Sequence, residues 1–332
     1  MKAATYAKYG PADVLSIEDI PRPEIGDTEV LVKVYASSVT TADWRIRASA
    51  FPGYAWLPGR LMFGLFRPRN KVLGTDFAGR VVSVGAQVTR FKLGDEVFGF
   101  AGAGGHAEYV AVSQDAAMAR KPKSLDYEQA AAVPFGALSA LVFLRDFAKL
   151  QSGERVLING ASGGVGVWAV QIAKQLGAHV TGVSSAANLD LVRSLGADRV
   201  LDYASDDITR TGELYDVILD TVGSTSFARA KRALTPKGRF VPLEFGLREI
   251  WQSLTGALRG GKRVVIGVSS DTRDDLEYLA DLLARGKVTP VIDSSYALDR
   301  IAEAHRKVES RHKTGAVVIL VDRAATPHLA VA

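Results

Sequence analysis

The chain has 332 residues, 47% of them hydrophobic and 23% charged, with a formal net charge of +5 and no cysteine. That length is about two domains with a sizeable core. The missing cysteine excludes disulfides, thiolate zinc sites and a cysteine nucleophile, and the scattered cations do not form the dense stripe of a nucleic-acid binder. The start, MKAATYAKYGPADVL, lacks the apolar core of a secretory signal, and no apolar run reaches about 18 residues. The expectation is a cytoplasmic protein.

From residue 1 to about 120, short alternating segments are separated by Pro and Gly. They predict strands at Glu29–Tyr35, Gly79–Gly85, Gly94–Phe98 and Ala107–Val112, in a compact barrel-like β domain. Inside this region, residues 51–71 read FPGYAWLPGRLMFGLFRPRNK, with Phe51, Tyr54, Trp56, Leu57, Leu61, Met62, Phe63, Leu65 and Phe66 interleaved with Arg60, Arg67 and Arg69. We read it as an apolar lid over a substrate cleft. The other readings are a membrane-surface contact, since aromatics with arginines suit an interface, or extra core or a dimer patch.

Between about 124 and 268, strands alternate with helices. The organising stretch is Arg155–Ser184: a strand at Val156–Asn159, then a glycine turn with Gly160, Gly163, Gly164 and Gly166. A helix follows, with Val165, Ala169, Ile172 and Leu176 on one face; Gly177 stops it, and a second strand runs over Val180–Ser184. Strand, glycine turn, helix and strand make the βαβ unit that holds a dinucleotide pyrophosphate. Glycines let the backbone approach the phosphates, and the helix start favours the anion. The spacing is G-x-x-G-x-x-G, so its placement between strand and helix carries the inference; otherwise it is a turn that only packs helix on strand. Asn188 is expected to cap the helix of LDLVRSLGA. Strands at Arg199–Leu201, Val217–Asp220, Arg239–Leu243 and Val264–Val268 then complete a six-stranded, doubly wound parallel sheet. Where NAD-specific sites place an acid after the second strand, this chain has Ser184-Ser185, which would accept a 2′-phosphate that an acid would repel. Helices at Asp274–Arg285 and Leu298–Glu309 and a strand at Gly315–Val321 are expected to return to the first domain. The tail from Arg323 has no pattern and is read as loose.

Several stretches together resemble the medium-chain dehydrogenase/reductase superfamily: LGTDFAGRVVSVG (73–85), FKLGDEVFGF (91–100), AAVPFGALSAL (131–141), INGASGGVG (158–166), SLGADRVLDY (194–203) and YDVILDTVG (215–223). The glycine spacing and the missing metal ligands resemble its zinc-free quinone oxidoreductase branch. The resemblance implies an α/β protein with a GroES-like catalytic domain from both chain ends, residues 1–123 and 269–332, around a Rossmann domain, residues 124–268. It also implies an active-site cleft between the two and a homodimer. Zinc members carry a Cys near position 37, a Gly-His-Glu and a four-cysteine lobe; here stand Ser37 and Ser38, Thr75-Asp76 and Phe100–Gly104. Hydroxyls are poor zinc ligands, so no metal is expected. Without a Lewis acid an alcohol's oxyanion has no strong stabiliser, whereas a conjugated acceptor delocalises the incoming charge itself.

The resemblance implies that Gly160, Ser162, Gly163, Gly164, Val165 and Gly166 hold the pyrophosphate. Ser184, Ser185, Asn188 and Tyr203 would hold the adenosine ribose end, and Val222, Gly223, Val268 and Ser269 would line the nicotinamide side. The basic residue often found between 186 and 189 is absent; Arg193, Lys174 and Lys313 are the alternatives, each also readable as a solvated charge. On the substrate side the family's Val-Asn-Pro-x-Asp is Val39–Asp43, with Thr40 in place of the asparagine as a candidate hydroxyl donor. Asp43 is read as capping the following turn. Tyr54 is a candidate general acid. His106 is a lone histidine, more often structural, and His179, His305, His312 and His328 show no metal spacing. The expected activity is zinc-independent, NADPH-dependent reduction of a small apolar quinone, enone or similar acceptor, with no nucleic-acid partner. An enoyl-thioester reductase and a non-catalytic NADPH-binding protein are the alternatives.

Overall fold

The structure, a computed structural model, describes residues 1–209, 212–259 and 261–322. The tail from Arg323, with His328, lies outside the described residues. The chain forms two compact units: one is Met1–Phe135 together with the chain from Asp271 onward, the other Gly136–Ser270.

The first unit begins with β1 (Lys2–Tyr6), β2 (Leu15–Asp19) and the long β3 (Glu29–Val39), then α1 (Thr41–Ala48) and α2 (Trp56–Phe63). It continues through β4 (Asp76–Val84), β5 (Glu96–Phe100), β6 (Tyr109–Ser113), β7 (Met118–Arg120) and α3 (Tyr127–Ala131). The chain leaves this unit within α4 (Pro134–Val142).

The second unit carries β8 (Arg155–Asn159), α5 (Gly166–Gln175), β9 (His179–Ser184), α6 (Leu189–Ser194), β10 (Arg199–Asp202) and β11 (Tyr215–Asp220). After these come α7 (Phe227–Ala230), β12 (Leu234–Pro242), α8 (Leu247–Arg259) and β13 (Arg263–Val264). The chain then rejoins the first unit as α9 (Arg273–Ala284), β14 (Ile292–Ala297), α10 (Ile301–Glu309) and β15 (Ala316–Leu320).

In the first unit β3 is the hub. It alternates, with Val30, Val32, Val34 and Ala36 fully buried, and pairs antiparallel with β4, with β6 along its first half and with β15 along its second. Its inward valines pack with Phe77, Val81, Val97, Val110, Val112 and Met118. Such alternation is what a sheet buried on one face requires. A second cluster joins Ala4 and Val39 to Leu298, Ile301, Ala304 and Val308, and so ties the C-terminal segment to this unit.

The second unit is a six-stranded sheet in the order β10-β9-β8-β11-β12-β13, parallel throughout. Val156, Leu157 and Ile158 are consecutive and fully buried, as a central strand covered on both faces must be. Burying each contributes about 1.5–3 kcal/mol. Strand order reverses between β8 and β11, so a crevice opens beyond Asn159 and Asp220, where doubly wound sheets bind ligands.

Two expectations change and one alternative reading falls away. The sixth strand stops at Val264, because Gly267 lies against Phe147, so closely that a Cβ would come within 2.1 Å of its ring. Packing, not a ladder, directs that chain. For the 51–71 segment, the alternative reading as extra core does not fit its helix α2, none of whose residues is buried. Asn188 occupies the start of α6 without capping it, since its side-chain amide turns to two serines.

Candidate active site

The glycine turn lies between β8 and α5. Gly160 has a φ of +80°, and its N–H donates to the Val183 carbonyl at 3.0 Å, fastening the turn to β9. A Cβ here would sit 2.6 Å from Thr221 Oγ1 and from Val222 Cγ1. At Gly166 a Cβ would sit 2.0 Å from the Gly160 carbonyl oxygen, so the helix start packs directly on the turn. Gly163 differs: its nearest contact would be that same oxygen at 3.3 Å. Gly163, Gly164 and Val165 are half-buried, next to helix-start N–H groups that have no intrahelical partner. Gly160 and Gly166 close the turn and the stretch between them, Gly163–Val165, stays open, which is a cradle that fits a pyrophosphate.

At the end of β9 the hydroxyls form a network. Ser162 Oγ and Ser184 Oγ are 2.7 Å apart, and Asn188 Nδ2 donates to Ser162 Oγ at 3.3 Å and to Ser185 Oγ at 3.2 Å. Ser184 is buried and Ser185 half-buried. Tyr203 joins through its N–H to the Ser184 carbonyl at 3.0 Å, while 64% of the residue is exposed. The structure therefore brings Ser162, Ser184, Ser185, Asn188 and Tyr203 to one place. The proposed phosphate clamps are engaged elsewhere. Lys174 holds both carboxylate oxygens of Asp198 at 2.8 Å, and Arg193 holds Asp190 at 2.6 Å. Lys313 belongs to the first unit and donates to the Gly315 carbonyl at 2.5 Å; burial pulls it down to about 8.

Sequence reasoning missed the organiser of the crevice. Asp220, the last residue of β11, is fully buried and accepts from Asn159 Nδ2 at 2.9 Å and from the N–H groups of Val222, Gly223 and Thr225 at 3.2, 3.0 and 2.9 Å. Burial pushes its carboxyl above the usual range, against the pull of these donors. It shapes the turn that presents Val222 and Gly223. The signal was present: an aspartate at a strand end before T-V-G-S-T is an Asx-type turn. Val268 is 79% exposed in irregular chain beyond β13, and Ser269 follows it, so neither stands at a strand end.

In the first unit the Thr40 hydroxyl donates to Asp43 Oδ2 at 2.6 Å and accepts from the Asp43 N–H at 3.1 Å. This is a capping box, so Thr40 caps α1 and Asp43 is its third residue. Asp43 also accepts from the N–H groups of Gly74 and Thr75 at 2.9 and 3.2 Å. Tyr54 lies half-buried in a single 3₁₀ turn, Gly53–Ala55. Ser37 donates to the Asp76 carbonyl at 2.6 Å and Ser38 to the Asp76 carboxylate at 2.9 Å; burial pushes that carboxyl well up. His106 is fully buried, bonded to the Ser38 carbonyl at 3.0 Å and set edge-on to His305, and burial keeps it neutral. Among the described residues no three His, Cys, Asp or Glu side chains group to hold a metal.

Residues 26–123 match the alcohol dehydrogenase GroES-like domain, and residues 195–319 match the zinc-binding dehydrogenase model. The chain is 32% identical to the chloroplast envelope quinone oxidoreductase homolog of Arabidopsis thaliana, over 96% of this chain and 98% of that protein. The chain belongs to the medium-chain dehydrogenase/reductase superfamily, in its quinone oxidoreductase-like branch. It is an NAD(P)H-dependent oxidoreductase. It is also 34% identical to the NADPH-dependent alkenal/one oxidoreductase of Arabidopsis thaliana, over 96% of this chain and 79% of that protein. Among solved structures, the quinone oxidoreductase of Coxiella burnetii superposes with a TM-score of 0.85 at 29% identity, over 97% of this chain and 99% of the other.

Proposed function

We propose that this oxidoreductase uses NADPH, without zinc, to reduce a quinone, enone or similar electron-poor apolar acceptor. The observation that carries the cofactor choice is the acid-free set of Ser162, Ser184, Ser185 and Asn188 at the end of β9. Hydroxyls and an amide donate to a 2′-phosphate, whereas a carboxylate there would repel it. The acceptor class is supported by the full-length likeness to quinone and alkenal/one oxidoreductases. Zinc independence is supported by the donor set: there is no cysteine, and Ser37 and Ser38 spend their protons on Asp76.

When bound, NADPH supplies hydride from C4 of its nicotinamide. Gly160 and Gly166 fix the turn, while Gly163, Gly164 and Val165 leave its backbone open to the diphosphate. Asp220 holds Val222 and Gly223 in the turn beyond β11, where they would border the nicotinamide. The protein's work is positioning and exclusion of water. We further propose a homodimer. In support, Leu247, Trp251 and Leu254 lie on one stripe of α8 and are 67%, 69% and 63% exposed, an apolar row that a second copy would cover.

The test is oxidation of NADPH and of NADH by the purified protein with a benzoquinone, a naphthoquinone, an aliphatic enone and a crotonyl thioester, each with and without EDTA. NADPH turnover on a quinone or enone, unchanged by EDTA, is expected. Turnover confined to the thioester would make it an enoyl-thioester reductase, and binding without turnover would make it a non-catalytic NADPH-binding protein.

A further inference from the structure

The first unit presents an apolar surface beside unpaired cations. The inner face of α2 is anchored. Phe63 stacks on Phe51 with ring centroids 5.6 Å apart, and Gly59 lies so close that a Cβ would come within 2.7 Å of the Phe51 ring. The Tyr9 hydroxyl donates to the Gly64 carbonyl at 2.7 Å and closes the helix end. At about 3.6 residues per turn, Leu57, Pro58, Leu61 and Met62 fall on the opposite arc. Leu57 and Leu61 are 53% exposed, Met62 66% and Phe66, just beyond the helix, 88%.

The charge along this stretch of chain has one sign. From Trp44 to Thr75 the chain has five arginines, one lysine and no acid. Arg47 is buried against Glu309, Arg45 has a partner of its own, and Arg60 lies 4.0 Å over the Tyr9 ring. Arg67, Arg69 and Lys71 are exposed and form no ion pair among the described residues. All three line one open groove of about 480 Å³; Arg69 and Lys71 also line another of about 390 Å³, with Ile20, Pro21 and Val72 as apolar walls.

We propose that this face docks on an anionic bilayer surface. Leu57, Leu61, Met62 and Phe66 enter the boundary between headgroups and acyl chains, with Arg67, Arg69 and Lys71 at the lipid phosphates. A single two-turn helix is too short to span a bilayer and suits an interfacial position. A second copy is a poorer occupant, because a two-fold contact through this face would gather both protomers' exposed cations, with no acid from this stretch to offset them, into one interface. The proposal does not depend on which acceptor the enzyme reduces.

Sedimentation with vesicles tests it, using phosphatidylcholine alone and phosphatidylcholine with one third phosphatidylglycerol, at about 0.1 M and about 1 M salt. The wild type is expected to bind only the anionic vesicles, and more weakly at high salt. Neutralising Arg67, Arg69 and Lys71 to glutamine should weaken binding on the order of a hundredfold, about fivefold per cation. Leu61→Glu with Met62→Glu should abolish it; both sites are exposed, and thermal unfolding checks that the variant folds. Quenching of Trp56 by brominated lipid, lost in Trp56→Phe, reads the same contact without a disruptive change. Failure of the wild type to bind anionic vesicles, or binding that survives both variants, would overturn the proposal. So would a wild-type dimer that Leu61→Glu dissociates in the absence of vesicle binding, which would give the face to a second copy.

Discussion

Replacing Gly163 by alanine adds a methyl group whose nearest neighbour in the chain is the Gly160 carbonyl oxygen at 3.3 Å. A shift of a few tenths of an ångström accommodates that, and Gly163 does not have a left-handed φ, so the backbone permits alanine. Lost chain entropy in the unfolded state even favours the substitution, by roughly 0.4–1 kcal/mol. Gly166→Ala also keeps a permitted backbone, but its Cβ would stand 2.0 Å from the same oxygen and 2.8 Å from two atoms of Ala161. Helix and turn must separate by about 1 Å, an overpacking cost of roughly 1–3 kcal/mol. If the open stretch after Gly160 is where a diphosphate approaches the backbone, the Gly163 methyl stands in its way while sparing the fold. The expected result is therefore a dissociation. Gly163→Ala melts within about 2 °C of the wild type and binds NADPH at least tenfold more weakly, about 1.4 kcal/mol. Gly166→Ala melts several degrees lower, at about 2–4 °C per kcal/mol. Thermal unfolding and calorimetric titration with NADPH read the two quantities separately. A Gly163→Ala protein with wild-type NADPH affinity would refute the assignment of this turn to the pyrophosphate.

Other outcomes follow from the same geometry. Ser185→Asp introduces a charge where a 2′-phosphate would lie, and should lower kcat/KM for NADPH by at least tenfold while changing that for NADH little. Asp220→Ala removes the acceptor of three N–H groups and of Asn159; unfolding should show a loss on the order of 3 kcal/mol. Burial, His106 and Arg47 hold His305 well below 6.5, so it is neutral when folded but takes a proton in the unfolded chain as pH falls through 6.5. Each buried histidine then lowers stability by up to about 1.4 kcal/mol per pH unit below that point, whereas Asp76, raised by burial, loses stability as pH rises above its unfolded value and slopes the other way. His305→Leu should flatten the fall in Tm between about pH 6.5 and pH 5 relative to the wild type.

The second unit's early strands and its glycine turn were legible because their causes are local. An apolar run, a glycine that must turn and a helix with a three-and-four repeat lie within one stretch, and β8, α5 and β9 formed where that pattern placed them. The misplacements share one cause, contacts distant in sequence. Val264–Val268 has a strand's composition, yet packing of Gly267 against Phe147, more than a hundred residues earlier, takes the chain off the ladder after Val264. Asn188 has a capping residue's chemistry and position, but it makes no side-chain capping bond, and its amide nitrogen donates to Ser162 on the turn across from it. Thr40 stands in a family motif that pointed toward substrate, and in the fold its hydroxyl is engaged in starting α1. Asp43, read from the sequence as a cap, does complete that capping box and also holds the backbone at Gly74 and Thr75. Each of these residues can serve either a ligand or the chain. Which one it serves is decided by the partner that the fold brings within about 3 Å, and that partner is read from structure, not from spacing.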